Sequence, residues 1–263
     1  MRIALCQLAA TADPATNLEL IRDAAKQAAD AGARIAVFPE AAMAHFGTDL
    51  AAVAEPDDGP WASAVRAIAD DLAITVIAGM FTPADQGRVR NVLLATGGGA
   101  AATYQKIHVY DAFGHRESDT VDPGETLVHI ELDGIRFGLA TCYDVRFPEL
   151  FRALARDGAD AVILCAAWGA GPGKLAQWEL LTRARALDST SWILACDQAD
   201  PATIGVDVDG PAPRGIGHSA VIAPDGTVAD SLEAAPGVLI ADIDPGRVET
   251  VRRSIPVLAN ARL

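Results

Sequence analysis

The stretch IRFGLATCYDVRFPEL, which runs from Ile135 to Leu150, decides the fold of this chain. Ile135–Thr141 is an apolar run typical of a buried strand, and a helical pattern begins at Pro148. Proline suits the first turn of a helix, because it lacks only a donor that would have no partner there. Cys142 therefore follows a strand and precedes a helix, whose dipole is expected to favour the thiolate. In α/β proteins the carboxyl ends of the strands open onto the crevice in which ligands bind.

Strand-like and helix-like segments alternate along the whole sequence. Helical periodicity predicts helices at Asn17–Ala31, Trp61–Leu72, Pro148–Arg156 and Lys174–Ser189. The predicted strands are Arg2–Leu8, Arg34–Phe38, Ile74–Met80, Val89–Ala95, Ala101–Gln105, Leu127–Leu132, Ile135–Thr141, Ala161–Ala166, Ser191–Cys196, His218–Ile222 and Gly237–Ile243. Two Asp-Gly pairs separate strand-like runs, and this dipeptide favours tight hairpin turns because it tolerates a positive φ; they are Asp133-Gly134 and Asp225-Gly226. The pattern predicts one α/β domain, residues 1–263, with mixed sheets.

Composition and charge exclude several classes of protein. The 263 residues are 51% hydrophobic and carry a net charge of −14, as expected of one large acidic domain. An acidic surface repels phosphate, so neither nucleic acid nor a membrane surface is expected as a partner. No apolar run approaches the roughly 20 residues that a membrane-spanning helix needs. Gln7 interrupts the apolar start of the chain, which we interpret as a strand rather than a signal peptide.

The cysteines and histidines do not form a recognisable metal or disulfide pattern. Cys6, Cys142, Cys165 and Cys196 include no C-x-x-C pair and do not resemble a disulfide framework. A reducing, cytoplasmic location is therefore predicted. All of them except Cys142 fall within apolar strands and are predicted to be core residues. The histidines lack the spacing of metal ligands, so no metal site is predicted.

Two further polar residues, Glu40 and Lys106, follow predicted strands in the same way as Cys142. Hydrolysis of an amide requires a nucleophile, a proton carrier and a group that stabilises the oxyanion, and a thiol, a carboxylate and an ammonium group supply these functions. Each residue alone is weak evidence, because a strand-end cysteine is more often a buried apolar residue and an isolated Lys or Glu is usually solvated. The sequence pattern alone does not exclude His108 or His218 as the general base. A reactive thiol would also suit a redox sensor, although no resolving cysteine is evident.

Three ordered motifs identify the family that the chain resembles. They are Phe38-Pro39-Glu40, Tyr104-Gln105-Lys106-Ile107-His108 and Cys142-Tyr143-Asp144-Val145-Arg146-Phe147-Pro148-Glu149. Residues outside the motifs also fit, namely Gln7, Asn91, Glu117-Ser118, Pro123-Gly124, Gln177-Trp178, Arg183-Ala184-Arg185-Ala186, Gln198 and Gly217-His218-Ser219. The chain resembles the nitrilase superfamily of carbon–nitrogen hydrolases over essentially its whole length. The most specific part of the likeness is the combination of K-x-H with CYDxRFPE.

The resemblance implies a four-layer α-β-β-α sandwich of two mixed sheets and a Glu-Lys-Cys triad that uses no histidine and no cofactor. It makes Glu40 the general base for the Cys142 thiol, which attacks the carbonyl and forms a thioester as ammonia leaves. Lys106 and the backbone N–H of Tyr143 would hold the oxyanion. Glu117 matches a second glutamate that orients the lysine. An ammonium group buried between two carboxylates is expected to stay charged.

Residues around the motifs are predicted to shape the site. Asp144 and Arg146 are expected to form a pair that anchors the loop after the nucleophile. Trp168 lies on a Gly-rich stretch after a predicted strand, where it would contact substrate or pack in the core. The segment Pro201–Gly217 is rich in Gly, Pro and Asp and is predicted to be a surface loop near the site.

Within the superfamily, the motifs look most like those of amidases that act on linear dicarboxylate monoamides, the ω-amidases and deaminated-glutathione amidases. The expected substrate is therefore a small linear amide. The segment Ala112–Arg116 is shorter than in those relatives, which leaves the exact substrate open. Arg116 would pair with a substrate carboxylate or lie on the surface.

Several alternatives remain open from the sequence. An N-carbamoyl amidohydrolase would use the same residues, and a non-catalytic binding protein would keep the same fold. Nitrile hydrolysis is disfavoured, because nitrilases usually have Cys-Trp-Glu where this chain has Cys142-Tyr143-Asp144. The resemblance also implies a homodimer or higher homo-oligomer, formed through Pro148–Arg156 and Lys174–Ser189.

Overall fold

The computed structural model describes residues 1–112, 114–207, 210 and 212–262. The strands, in chain order, are β1 (Arg2–Gln7), β2 (Ile35–Val37), β3 (Thr75–Pro83), β4 (Val89–Gly97), β5 (Ala100–Gln105), β6 (Asp111–Ala112), β7 (His115–Arg116), β8 (Val121–Asp122), β9 (His129–Leu132), β10 (Ile135–Thr141), β11 (Ala161–Ala166), β12 (Trp192–Asp197), β13 (Ala220–Ile222), β14 (Val228–Ser231) and β15 (Gly237–Asp242). The α-helices are α1 (Pro14–Asp30), α2 (Leu50–Val53), α3 (Pro60–Leu72), α4 (Pro148–Arg156), α5 (Lys174–Ser189), α6 (Pro245–Ser254) and α7 (Val257–Asn260). Short 3₁₀ turns cover Asp85–Gly87, Glu117–Asp119, Cys142–Arg146 and Pro201–Ile204. Within the described ranges, no helix is long and apolar enough to cross a membrane.

Two mixed sheets carry the fold, as the sequence predicted. The first sheet has the order β15-β1-β2-β3-β4-β5, with β8 beside β4, and the second has the order β14-β13-β12-β11-β10-β9. In the first sheet β1, β2 and β3 are parallel, and β15, β4 and β5 are antiparallel to their neighbours. In the second sheet β10, β11 and β12 are parallel and the remaining strands are antiparallel. Strands β6 and β7 form a separate ribbon.

The two Asp-Gly pairs both connect antiparallel strands, but their turns differ. Asp133 and Gly134 have φ values of 48° and 78° and form the tight turn that was predicted between β9 and β10. The connection between β13 and β14 is longer, and the amide of Ala223 donates to the carbonyl of Thr227 across it. Only the glycine of the second pair, Gly226, has a positive φ, of 79°.

The apolar cores divide the molecule into four layers. Alternate residues of the two sheets, such as Leu5 and Ile163, meet in a central core and are fully buried. On the outer face of the first sheet, α1 and α3 pack through residues such as Ile21 and Val65. On the outer face of the second sheet, α4 and α5 pack through residues such as Leu154. The order of layers is therefore α-β-β-α.

The carboxyl ends of strands from both sheets meet at one edge of this sandwich. Glu40, Lys106, Cys142 and Ala167 come shortly after β2, β5, β10 and β11, respectively, and all of them line the same pocket. The sandwich thus brings together side chains that are far apart in the sequence.

Candidate active site

One pocket is lined by every site residue that the sequence predicted. Those residues are Glu40, Lys106, Glu117, Cys142, Tyr143 and Trp168, and the pocket is also lined by Phe46, Tyr110, Arg146, Ala167, Gly169, Lys174 and Pro213. The two histidines that pattern alone left open, His108 and His218, are not among the lining residues. The described part of the chain therefore places a thiol, an ammonium group and two carboxylates in one cavity.

The ammonium group of Lys106 is bound by both carboxylates. Its Nζ donates to Oε1 of Glu40 at 2.9 Å and to Oε1 and Oε2 of Glu117 at 3.1 and 2.8 Å. Burial lowers the pKa of Lys106, but the charges of Glu117 and Glu40 outweigh burial and raise it well above its usual range. Lys106 is therefore charged inside the protein, as the sequence predicted.

Glu40 is fully buried, and both of its carboxyl oxygens accept hydrogen bonds. Oε1 accepts from Lys106, and Oε2 accepts from the backbone N–H of Ala167 at 2.9 Å. Burial raises the pKa of the Glu40 carboxyl, and the charge of Glu117 adds to this effect while Lys106 opposes it. A carboxylate whose pKa is raised accepts a proton more readily near neutral pH.

Cys142 lies in a strained backbone conformation at the start of a 3₁₀ turn. Its φ is 44°, a left-handed value that is uncommon for a residue other than glycine and that is often found at functional sites. The thiol faces the carbonyl of Ala167, with Sγ and O 3.8 Å apart, and lies within hydrogen-bonding reach of Glu40.

The ionisation state of Cys142 differs from the sequence prediction. Burial raises the pKa of the thiol well above its usual range, the charge of Glu40 raises it further, and Lys106 opposes both. The expectation that a helix dipole favours the thiolate is therefore wrong, because a short 3₁₀ turn follows Cys142 and burial dominates. A protonated thiol needs a base before it can act as a nucleophile.

Asp144 anchors the turn that carries the thiol, but with partners other than the predicted one. Its Oδ2 accepts from the hydroxyl of Tyr104 at 2.6 Å and from the backbone N–H of Thr141 at 2.8 Å. Its Oδ1 accepts from the backbone N–H of His108 at 3.0 Å and lies 2.7 Å from the Nδ1 of the same residue. The predicted pair between Asp144 and Arg146 is not formed, because these fully buried oxygens are occupied by Tyr104 and His108 near the end of β5 and by the N–H of Thr141 at the end of β10.

Two cations line the pocket beside Trp168. The guanidinium of Arg146 lies 5.0 Å from the centre of the indole ring, and the Nζ of Lys174 lies 5.7 Å from the same ring. Arg146 donates to the Oε1 of Gln177 at 2.7 Å. Burial lowers the pKa of Lys174, and the charge of Arg146 lowers it further. These cations place positive charge in the pocket that contains the thiol, and the sequence motifs did not reveal this feature.

The loops around the pocket follow the predictions in part. Arg116 lies on the surface, with 71% of its side chain exposed and an ion pair to Asp119 at 3.5 Å. Phe113, in the short segment before it, lies outside the described residues. In the loop Pro201–Gly217, Pro213 lines the pocket, which confirms that this loop lies near the site. Val208, Asp209 and Pro211 of that loop lie outside the described residues.

Two buried amides support Glu40 in ways that the sequence did not show. The Nδ2 of Asn91 donates to Oε1 of Glu40 at 2.7 Å and to Oε1 of Glu117 at 3.3 Å. The Nε2 of Gln198 donates to the carbonyl of Glu40 at 2.9 Å, and its Oε1 accepts from the N–H of Ala10 at 2.9 Å. A polar residue inside an apolar strand, such as Asn91 in β4, is the signal by which such a role is found.

The fold and the pocket define an α/β enzyme with a cysteine at its site. Residues 2–253 match the family model of the carbon-nitrogen hydrolases. The chain belongs to this family, which confirms the resemblance that the three motifs indicated. It is a hydrolase, and hydrolysis of amides is the activity that the family and its relatives support.

Known relatives match over nearly their whole length. A hydrolase of Mycobacterium tuberculosis is 53% identical over 266 residues, which cover 99% of this chain and 95% of the relative. The deaminated glutathione amidase of Escherichia coli O157:H7 is 35% identical, with 100% of this chain and 97% of the relative covered. A solved structure of the amidase from Nesterenkonia sp. AN1 is 29% identical and has a TM-score of 0.78, with 97% of this chain and 94% of that chain covered. That structure shows the acetamide moiety of fluoroacetamide added covalently to the active-site cysteine.

Proposed function

We propose that this enzyme hydrolyses a small linear amide that carries an anionic group, through a thioester on Cys142 and with release of ammonia. The observation that carries the proposal is the position of Glu40, which is bound to the ammonium of Lys106 and lies within hydrogen-bonding reach of the Cys142 thiol. This contact gives the thiol proton an acceptor and places a positive charge in the same pocket.

In the first half of the reaction, Glu40 takes the thiol proton as the sulfur of Cys142 attacks the amide carbon. The carbonyl oxygen becomes an oxyanion, which the ammonium of Lys106 and the backbone N–H of Tyr143 stabilise. Glu40 then gives its proton to the leaving nitrogen, the carbon–nitrogen bond breaks, and ammonia departs. A thioester between Cys142 and the acyl group remains.

In the second half, Glu40 takes a proton from a water molecule, whose oxygen attacks the thioester carbon. The carbon–sulfur bond breaks, and the proton returns from Glu40 to the sulfur of Cys142. The product is a carboxylic acid. The raised pKa of Glu40 suits both halves, because the same group must accept and donate a proton in each.

The anionic group of the substrate is inferred from the two cations in the pocket. Arg146 and Lys174 lie next to Trp168 and line the same cavity as Cys142. A guanidinium binds a carboxylate through paired hydrogen bonds, so an amide with a carboxylate at its other end fits this arrangement. The relative named deaminated glutathione amidase supports the same choice.

We further propose that residues 1–263 act as one domain that assembles into a homodimer or higher homo-oligomer. Both sheets contribute to one central core, which supports a single domain. Helix α5 leaves Leu180 and Leu187 with 68% and 46% of their surface exposed, which supports an interface on this helix. Sedimentation or light scattering of the purified protein tests the assembly, and the mass of a monomer would contradict it.

The test of the proposed reaction is ammonia release by the purified protein and by Cys142→Ala. The substrates are monoamides of short dicarboxylic acids, uncharged amides of matched length, N-carbamoyl amino acids and aliphatic nitriles. We expect turnover of the anionic amides and its loss in Cys142→Ala. Cys6→Ala is the matched control, because Cys6 is a buried thiol that does not line the pocket.

Two results would contradict the proposal. Activity retained in Cys142→Ala would exclude the thioester mechanism. Ammonia release from N-carbamoyl compounds alone would keep the thiol mechanism and replace the proposed substrate.

A further inference from the structure

Asp197, at the end of β12, has a fully buried carboxyl group that the proposed reaction steps do not use, and burial raises the pKa of this group well above its usual range. Its Oδ1 accepts from the backbone N–H of Trp168 at 2.7 Å, and its Oδ2 accepts from the backbone N–H of Ile216 at 3.0 Å. Burying a carboxylate is unfavourable unless hydrogen bonds satisfy it. Both of these bonds go to the main chain of loops that approach the pocket.

The two loops that Asp197 joins form part of the pocket wall. Trp168 follows β11, and Ile216 follows Pro213 in the loop before β13; Trp168 and Pro213 both line the pocket. The loops are also bonded to each other, since the N–H of Gly215 donates to the carbonyl of Trp168 at 3.2 Å. The carboxylate of Asp197 therefore fixes both loops from one point.

The link from Asp197 to the reacting groups runs through the main chain of Ala167. Ala167 precedes Trp168, so the carbonyl of Ala167 and the N–H of Trp168 belong to the same planar peptide. That carbonyl accepts from the thiol of Cys142 at 3.8 Å, and the N–H of Ala167 donates to Oε2 of Glu40 at 2.9 Å. A shift of the Trp168 amide therefore moves groups that contact both Cys142 and Glu40.

We propose that Asp197 is a positioning residue of this hydrolase, which fixes the Ala167–Trp168 peptide so that the main chain of Ala167 binds both Glu40 and Cys142. The inference rests on the proposed function, because that function makes Glu40 the base and Cys142 the nucleophile. Small displacements at a reacting centre are costly, since a shift of about 1 Å lowers rates by a factor on the order of 100.

The experiment compares Asp197→Asn with Ser219→Ala in steady-state ammonia release. Asparagine keeps the shape of aspartate but offers an acceptor to only one of the two backbone N–H groups and places its own NH₂ against the other. Ser219 is a matched control, because its buried Oγ accepts from the backbone N–H of Asp197 at 2.9 Å and its loss leaves the carboxylate in place. We expect kcat of Asp197→Asn to fall about 10- to 100-fold, with KM changed less than about threefold, because Arg146, the guanidinium proposed to bind the substrate, lies on neither of the two loops. Ser219→Ala should keep kcat within about threefold of the parent.

A kcat of folded Asp197→Asn within threefold of the parent, a loss confined to KM, or an equal loss in Ser219→Ala would overturn the inference. Thermal unfolding of each variant establishes that it is folded before rates are compared. If Asp197→Asn does not fold, Asp197→Ser takes its place with the same expected loss, because it also removes the carboxylate.

The Cys142→Ala variant distinguishes a failure of the proposed function from a failure of the role inferred for Asp197. Activity in Cys142→Ala overturns the proposed function and this inference with it. An inactive Cys142→Ala together with an unaltered Asp197→Asn overturns this inference alone.

Discussion

Replacing Lys106 with methionine removes the ammonium group between Glu40 and Glu117 and keeps a side chain of similar length. The contacts that are lost measure 2.8 to 3.1 Å, and all three side chains are at least 96% buried, so water does not screen them. Removing one partner of a buried ion pair costs about 3–5 kcal/mol, because the other partner is left charged without compensation. We expect the free energy of unfolding to fall by about that amount.

The same substitution should slow the reaction by a factor on the order of 10²–10³, which is the usual effect of removing one donor to an oxyanion. Urea-induced unfolding measures the stability, and ammonia release measures the rate. Lys26→Met is the control, because the ion pair of Lys26 with Asp30 is 2.6 Å long but both side chains are more than 60% exposed. Such a surface pair contributes only about 0.3–0.5 kcal/mol. A Lys106→Met variant as stable as Lys26→Met, or with a rate within tenfold of the parent, would refute the reasoning.

The pH dependence of the stability gives an independent check on Lys106→Met. Burial already raises the pKa of Glu40 in the parent, and Lys106 opposes this rise, so the variant should raise the pKa further. The folded variant then binds protons more tightly than its unfolded state, and its stability increases as pH falls through the raised pKa. The stability difference between the parent and the variant should therefore be smaller near about pH 5 than near about pH 8. If this stability difference does not change with pH, Lys106 does not stabilise the protein by neutralising the buried carboxylates.

Three further substitutions test neighbouring groups. Glu40→Gln should lower kcat by a factor on the order of 10²–10⁴. In the parent, kcat should rise with pH, with a midpoint above 4.5, the ordinary pKa of glutamic acid. The reason is that Glu40 acts as a base only when deprotonated and that burial raises its pKa. If the same rise persists unchanged in Glu40→Gln, it belongs to another group. Asn91→Ala removes the amide that binds Glu40 and Glu117 and should lower the free energy of unfolding by about 1–3 kcal/mol in urea, whereas an unchanged midpoint would contradict that role. Arg146→Met should raise KM about tenfold or more for an anionic amide and leave KM for an uncharged amide of the same length unchanged; equal effects on both would exclude a carboxylate site at Arg146.

The parts of the fold that could be predicted are those whose side chains are strongly sorted between core and solvent. Strand β10 and helix α4 have the predicted bounds, because β10 is an apolar run and Pro148 marks the start of the helix. Strand β14 was missed because its four residues are all exposed and give no apolar alternation. Helix α6 was missed because only Val248 and Val251 are buried among its ten residues.

Glu40, Lys106 and Cys142 could be selected from the ends of apolar strands, and the structure places all of them in one pocket, but their environment could not be predicted. One partner of Asp144 is Tyr104, which is 40 residues away, whereas Arg146 is close in sequence and forms no pair with it. The protonated state of Cys142 depends on burial and on the charges of Glu40 and Lys106, which only the assembled sandwich brings together. Local sequence thus indicates which groups meet in the pocket, and tertiary structure sets how they are charged.

The net charge of the buried pocket does not change during the proposed proton transfer. Glu40, Glu117 and Lys106 together carry one net negative charge when the thiol of Cys142 is protonated. In the proposed reaction, Glu40 accepts the thiol proton, and the negative charge passes to the sulfur and then to the carbonyl oxygen of the substrate. The net charge within the pocket stays constant. Isolated charge is costly in a buried site, so a step that moves a charge toward a fixed ammonium group is favoured over one that separates charges. A buried thiol with a raised pKa is therefore compatible with catalysis, because its proton and its negative charge each have a receiving group within the same pocket.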